Sequence, residues 1–285
     1  MENAPILLLF LFLPLLGMSQ LNNPMPDRPE RTVRFYSENV KDTFTVSIQW
    51  PKEYTANPAK RYPVVVLTDG DFYFPTMAPL LRQYEMVGLL PPMILVGIGY
   101  GDFRRMDSLR TRDLLYPQSL PSDELAAPGG GLDFYRFVTG ELLPRLEADL
   151  RVDTTQRTLL GHSFGGYFAL YTALQQAMEG QVIFSNIVSA SPTLWYHDFY
   201  LNQLPGQLAS TDLAGALNII ITAGDLESSE WTLAPIQKLT ALFNDQSIPN
   251  LYLNAFIYNF LDHMDTGQLS FVKGLHYFYP PARSR

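Results

Sequence analysis

Cysteine is absent from the 285-residue chain, which excludes disulfides, thiolate nucleophiles and cysteine-ligated metal sites and leaves the core to be stabilised by burial alone. Histidine is scarce, with four residues in all; they are scattered without a ligand spacing, so neither a metal nor an organic cofactor is implied. Basic charge is in deficit: 20 Lys and Arg against 28 Asp and Glu give a formal charge of −8, which argues against nucleic acid as a partner. Long apolar runs are missing except at the N-terminus. There Ala4 to Leu16 is apolar, and Gly17 and Ser19 have the small-residue spacing of a signal-peptidase site. Met1 to Ser19 therefore reads as a signal peptide cleaved before Gln20, and the protein as periplasmic or secreted. Glu2 is the only charged side chain ahead of the run, so the positive charge of the leader falls to the amino terminus. The run is shorter than the ~20 residues that span a bilayer, and no stable membrane anchor is expected after cleavage.

What is present is 47% hydrophobic and rich in β-branched runs. Strands are expected at Thr32 to Ser37, Thr43 to Trp50, Tyr62 to Thr68, Met93 to Ile98, Thr158 to Leu160, Asn186 to Ser189, Asn218 to Thr222 and Leu251 to Ile257. Most are continuous rather than alternating, as strands covered on both faces should be. Helical spacing marks Pro75 to Leu90, Gly131 to Leu150, Gly165 to Met178, Trp195 to Leu208, Trp231 to Asp245 and Thr266 to Leu275. The alternation from Tyr62 onward predicts an α/β fold: a mostly parallel central sheet with helices on both faces, preceded by an antiparallel strand pair. The one composition break, Leu114 to Gly131, is a proline- and glycine-rich loop that reads as a lid or a mobile surface segment. It does not divide the chain, because the alternation continues across it.

Between an expected strand and an expected helix stands "GHSFG", Gly161 to Gly165, a GxSxG elbow in its required context. The strained serine conformation of such a turn is tolerated only where the residues two positions before and after lack side chains. Gly166 lets the following helix approach the sheet. A serine hydroxyl needs a base to take its proton and an acid to orient that base. His162 abuts the serine and points elsewhere; His197 follows "SASPTLWY", and His276 sits in an aromatic C-terminal stretch. His263, in "NFLDHMDTGQ" between the last strand and the last helix, stands where the base belongs in the order nucleophile, acid, histidine. For the acid, the loop "AGDLESSE" offers Asp225, Glu227 and Glu230 at a strand end facing the ligand crevice; Glu227 is preferred and Asp225 is second. Asp262, beside the histidine, reads as a solvating loop residue. The oxyanion needs donors: the backbone N–H of Phe164, and the N–H of Asp71 or Phe72 in "TDGDFYF".

These stretches resemble the esterase D and enterobactin (enterochelin) esterase group of the α/β-hydrolase superfamily, from about Val33 to Tyr277. The landmarks are "YPVVVLTDGDFYF", "PPMILVGIGYGDFRRMDSLRTRDLLYP", the long stretch from "GGGLDFYRF" to "GHSFGGYFALY", "SASPTLWY" and the late histidine loop. The resemblance implies one α/β-hydrolase domain over residues 20–285, with Ser163 as nucleophile and His263 as base. The group's acid falls three residues beyond a glycine at the end of the penultimate strand, matching Glu227. Here that residue is Glu rather than the commoner Asp, and some siderophore esterases of the group work with serine and histidine alone, so the dyad stays open.

Three further features are read more plainly. "GIGYG", Gly97 to Gly101, lacks the Walker lysine and the GxGxxG helix start of a phosphate loop. Arg104, Arg105, Arg110 and Arg112 interleave with Asp102, Asp107 and Asp113, which favours internal ion pairing over a site for an anionic substrate. Trp195 and Tyr196 either wall a substrate site or pack the helix that follows. The function expected is a serine esterase that acts through an acyl-enzyme on a small-molecule ester, siderophore-type first, then a carbohydrate-linked acetyl or feruloyl ester. The alternatives are an acyltransferase and a non-catalytic ligand-binding protein on a hydrolase fold.

Overall fold

The computed structural model describes residues 30–281; the expected leader, Met1 to Ser19, lies outside the described residues. Buried β-branched runs make the centre of the fold. Strands β3 (Tyr62–Leu67) and β4 (Ile94–Gly99) are covered on both faces, as continuous Val and Ile runs require. Side chains alternate between two cores: Val64 and Val66 enter one, and Val65 and Leu67 the other. The remaining strands are β1 (Glu30–Ser37), β2 (Asp42–Gln49), β5 (Val152–His162), β6 (Asn186–Ala190), β7 (Leu217–Gly224) and β8 (Leu251–Tyr258).

All eight lie in one sheet of order β1-β2-β4-β3-β5-β6-β7-β8. β1 and β2 pair antiparallel, β2 runs antiparallel to β4, and β4 through β8 are parallel. The expected mostly parallel sheet with an antiparallel N-terminal pair is therefore present. After β3 the chain leaves to one side for β4 and returns to the other side for β5. That reversal opens a crevice beyond the C-terminal ends of β3 and β5, where ligands of open α/β sheets bind.

The helices are α1 (Gly70–Met86), α2 (Phe103–Leu114), α3 (Gly131–Arg136), α4 (Leu143–Asp149), α5 (Phe164–Glu179), α6 (Tyr196–Phe199), α7 (Leu204–Ala209), α8 (Ala234–Asn244) and α9 (His263–Phe278). Helix α1 begins before Pro75, because Asp69 takes a left-handed conformation (φ 53°, ψ 44°) that turns the chain directly from β3 into the helix. Helix α2 was not expected: its sequence, FRRMDSLRTRDL, buries only Met106, Asp113 and Leu114, too few apolar positions to display a helical period. The helix expected over Trp195 to Leu208 is broken at His197, Asp198 and Phe199, which have positive φ. No helix among the described residues is long and apolar enough to cross a membrane.

Candidate active site

Ser163 joins β5 to α5 with φ 59° and ψ −117°, a conformation that L-residues rarely occupy and that stores about 1–3 kcal/mol. The flanking glycines are sterically required. A Cβ on Gly161 would lie 1.9 Å from the Gly165 carbonyl oxygen, and one on Gly165 would lie 2.3 Å from Thr68 Oγ1. The elbow is pinned through its main chain: the Ser163 N–H donates to the Ala190 carbonyl at 2.9 Å, and the Tyr167 N–H donates to the Ser163 carbonyl at 2.9 Å. Ser163 is half-buried whereas His162 is buried.

His263 is the first residue of α9, and its Nδ1 lies 2.9 Å from Glu227 Oε2. The His263 side chain is 43% exposed and that of Glu227 is 1% exposed. Glu227 also accepts from Ser191 Oγ at 2.6 Å and from the Gly224 N–H at 2.8 Å, both on Oε1. Burial pushes its carboxyl pKa up, but the bonds from His263, the Gly224 N–H and Ser191 outweigh it, and the net shift is downward. Of the acids considered, Glu227 is thus the one bonded to the histidine. Asp225 instead accepts from the Phe260 N–H at 2.7 Å, and Glu230 is exposed. Asp262, expected merely to solvate the loop, caps α9, accepting from the Met264 N–H at 3.0 Å.

On the other side of the elbow stands the expected oxyanion loop. The Phe164 N–H opens α5, and the N–H groups of a helix's first turn lack intrahelical partners. The N–H groups of Phe72 and Tyr73 both donate to the Asp69 carbonyl, at 3.0 and 3.1 Å. This removes Phe72 as a donor and leaves Asp71. The Asp71 carboxylate accepts from the N–H groups of Tyr100 and Gly101 and so anchors the "GIGYG" turn.

Arg110 binds Asp69 through two bonds of 2.8 Å each and reaches the His162 carbonyl at 3.3 Å. Its guanidinium carbon lies 4.9 Å from the centroid of the Phe164 ring. The side chains are 14% and 2% exposed for Arg110 and Asp69. Burial alone would lower the Arg110 pKa; the Asp69 charge more than offsets this and raises it. Arg112 pairs with Asp42 and Asp113, and Arg105 with Asp42. Of the interleaved acids, only Asp113 pairs within the cluster; Arg105 and Arg110 pair with acids outside it. The cluster's most buried pair uses Asp69, an acid 41 residues away. Sequence reading missed this placement of a guanidinium against the elbow; the available signal was the Asp in the loop after β3, set beside a helix with more arginines than local acids.

Trp195 is half-buried, with its ring 6.0 Å from that of exposed Trp231. Tyr196 is a correction: fully buried, it cannot wall a substrate site, and its hydroxyl donates to the Pro117 carbonyl at 2.6 Å. Tyr167 donates likewise to the Tyr116 carbonyl at 2.6 Å, and the His197 N–H donates to Asp123 at 3.0 Å. These bonds tie the segment between α2 and α3, the stretch expected as a lid or a mobile surface segment, to the body of the fold.

A family model described as "Putative esterase" matches residues 37–268. The chain belongs to that family. It is 32% identical over 204 residues to the ferri-bacillibactin esterase BesA of Bacillus subtilis, covering 67% of this chain and 68% of that one. It is 28% identical over 149 residues to the apo-salmochelin esterase of Escherichia coli, spanning 49% of this chain and 44% of that one. An IroE-like serine hydrolase from Shewanella oneidensis superposes with a TM-score of 0.74 at 26% identity, covering 88% of this chain and 80% of that structure. Sequence and fold together make this chain an ester-hydrolysing enzyme of the α/β-hydrolase type.

Proposed function

We propose that the protein is a serine esterase that cleaves a siderophore-type ester through an acyl-enzyme, with Ser163, His263 and Glu227 as its catalytic residues. The observation that carries this reading is the 2.9 Å bond between His263 Nδ1 and buried, ionised Glu227. It keeps the proton on Nδ1 and leaves Nε2 as the basic atom. The ring centroid of the histidine is 4.6 Å from that of His162, the residue directly before the strained serine. His263 Nε2 takes the Ser163 hydroxyl proton as Oγ attacks the ester carbonyl, and then returns it to the departing alkoxide. The tetrahedral oxyanion is met by the N–H groups of Phe164 and Asp71. Water, deprotonated by the same histidine, then attacks the acyl-enzyme; the acid leaves and Ser163 regains its proton.

The siderophore substrate class rests on the named activities of the relatives. Intact-mass labelling with a fluorophosphonate tests the nucleophile. One adduct on the wild type and none on folded Ser163→Ala is expected, and an unlabelled but folded wild type would overturn the reading. A tri-catechol trilactone, followed by chromatography of the linear products, tests the substrate class.

A further inference from the structure

His162 is buried directly before the nucleophile, and the mechanism above gives it no part. Its ring does not turn idly into the core. Nε2 lies 2.7 Å from the main-chain carbonyl oxygen of His263. A carbonyl only accepts, so Nε2 must carry the proton, which fixes the tautomer. The same carbonyl oxygen is within 2.9 Å of Thr266 Oγ1, which lies 2.6 Å from Ser191 Oγ. Ser191, with φ 43°, donates to Glu227, and Glu227 holds the His263 ring. His263 is therefore gripped twice by one network, at its side chain by Glu227 and at its main chain by His162.

Counting protons makes His162 more than one of two interchangeable donors. Thr266 has a single hydroxyl proton and two neighbours able to accept it, the His263 carbonyl and Ser191 Oγ. Ser191 spends its own proton on Glu227. With His162 donating to the carbonyl, Thr266 is free to donate to Ser191, and the chain Thr266 to Ser191 to Glu227 runs in one direction, each link polarising the next. Without His162, the Thr266 proton is drawn to the carbonyl and Ser191 loses its donor.

We propose that His162 is a positioning residue for ester cleavage: through the His263 carbonyl it fixes the base against the elbow and keeps the hydrogen-bond chain directed onto Glu227. The inference rests on the serine esterase reading. It also explains why a histidine suits a position whose neighbour becomes an imidazolium in mid-reaction. Burial, with the adjacent His263 and despite the bond to its carbonyl, pulls the His162 pKa down to about 4, so at neutral pH the clamp is an uncharged donor that does not oppose the transient charge 4.6 Å away.

The test compares His162→Gln, which keeps an N–H donor on a side chain of similar reach, with His162→Leu, which fills the space without one. Both are checked for native circular dichroism before kinetics on an aryl butyrate. His162→Leu is expected to lose about ten- to hundredfold in kcat and in the rate of fluorophosphonate labelling, with KM nearly unchanged. His162→Gln should retain activity within about threefold. Equal losses in the two variants, or a folded His162→Leu with wild-type kinetics, would overturn the proposal. Should His162→Leu not fold, Thr266→Val made in the His162→Gln background decides. It removes the donor to Ser191 while leaving the Gln on the His263 carbonyl, so a further loss of about tenfold in kcat is expected from the broken chain onto Glu227, and activity equal to that of His162→Gln would overturn the directed chain. A wild type that is inert towards both ester and fluorophosphonate would refute the esterase reading itself, an outcome distinct from any pattern among the variants.

Discussion

The two sides of Ser163 are built from opposite chemistry. Towards β3 and β4 the elbow meets a full ion pair, Asp69 with Arg110. Towards β6, β7 and β8 it meets one anion, Glu227, ringed by neutral donors. The difference follows from what each side does in the proposed reaction. The oxyanion side faces negative charge that develops in the transition state, and there Arg110 cancels the Asp69 carboxylate, so that the preorganised N–H groups of Phe164 and Asp71 act without an opposing anion. The base side holds a group that itself changes charge, so a permanent cation there would oppose the imidazolium, and a fixed carboxylate favours it. Each side also grips the elbow at His162: Arg110 through its carbonyl, and His263 through its ring.

Substitutions should rank by how directly they touch this division. Ser163→Ala removes the bond-forming atom and should lower kcat on any ester by about 10⁴-fold or more. Glu227→Gln keeps the shape but loses the charge that orients His263; a drop of about 10³ to 10⁴ is expected. Equal activity of Glu227→Gln and the wild type would reduce the base side to a dyad. Arg110→Met leaves the Asp69 carboxylate uncancelled beside the elbow, where it opposes the oxyanion, and should lose about 10² to 10³ in kcat. It also leaves Asp69 buried without a partner, a change that destabilises by about 3–5 kcal/mol in comparable pairs, so denaturation must be followed alongside kinetics. An Arg110→Met enzyme with full kcat and a lowered melting temperature would confine the pair to a structural role, and the asymmetry between the two sides would then be electrostatic only in appearance.

The base side was largely legible in the sequence and the oxyanion side was not. Ser163, His263 and Glu227 each sit at a strand end announced by a β-branched run, and the elbow declares itself through glycines whose Cβ atoms would collide with backbone or side chain. The preference for Glu227 over Asp225 and Glu230 comes from its place three residues past Gly224, and the path of the loop agrees with it, turning Asp225 to Phe260 instead. The Asp69–Arg110 pair was hidden for two reasons. Helix α2 buries too few residues to show a period, and a partner 41 residues distant leaves no local pattern. The same holds for Tyr196 and Tyr167, whose hydroxyls bind carbonyls of a distant loop: an aromatic residue shows in sequence, whereas the far end of its hydrogen bond does not.

Charge at the crevice also bears on substrate. The loops and helix starts beyond the C-terminal strand ends carry exposed Asp107, Asp198, Asp225, Glu230, Asp262 and Asp265 against exposed Arg104 and Arg105, while Arg110 is committed to Asp69. Exposed Phe72, Phe103, Leu226, Trp231, Phe260 and Met264 lie on the same loops and helix starts. Such a surface attracts uncharged aromatic esters and repels anions. One relative is named for an iron-loaded siderophore and another for an iron-free one. A ferric tris-catecholate complex is a trianion, so the metal-free trilactone is expected to be cleaved with a kcat/KM about tenfold higher at low salt, the ratio shrinking as salt screens the field. Glu230→Lys should raise the rate on the ferric complex more than on the metal-free ester. A wild type faster on the ferric complex at low salt would show that exposed Arg104 and Arg105, rather than the acidic rim, set the field that the substrate meets.

The smallest expected effect lies in stability rather than rate. His162 is neutral in the native state down to about pH 4, whereas in the unfolded chain a histidine takes up a proton near pH 6.5. Above pH 6.5 neither state is protonated there and the residue contributes no pH dependence. As pH falls from 6.5 to 4 the unfolded chain binds a proton that the native protein refuses, so native stability is lost over that window, by up to about 3 kcal/mol. Below pH 4 this group adds no further loss. Urea denaturation at pH 7 and pH 4.5 should therefore show a larger drop for wild type than for His162→Gln, by about 2 kcal/mol. Equal drops would mean that the native ring accepts a proton readily. A second cation would then stand beside His263 in mildly acidic solution, and the neutral character assigned to the base side would hold only at higher pH.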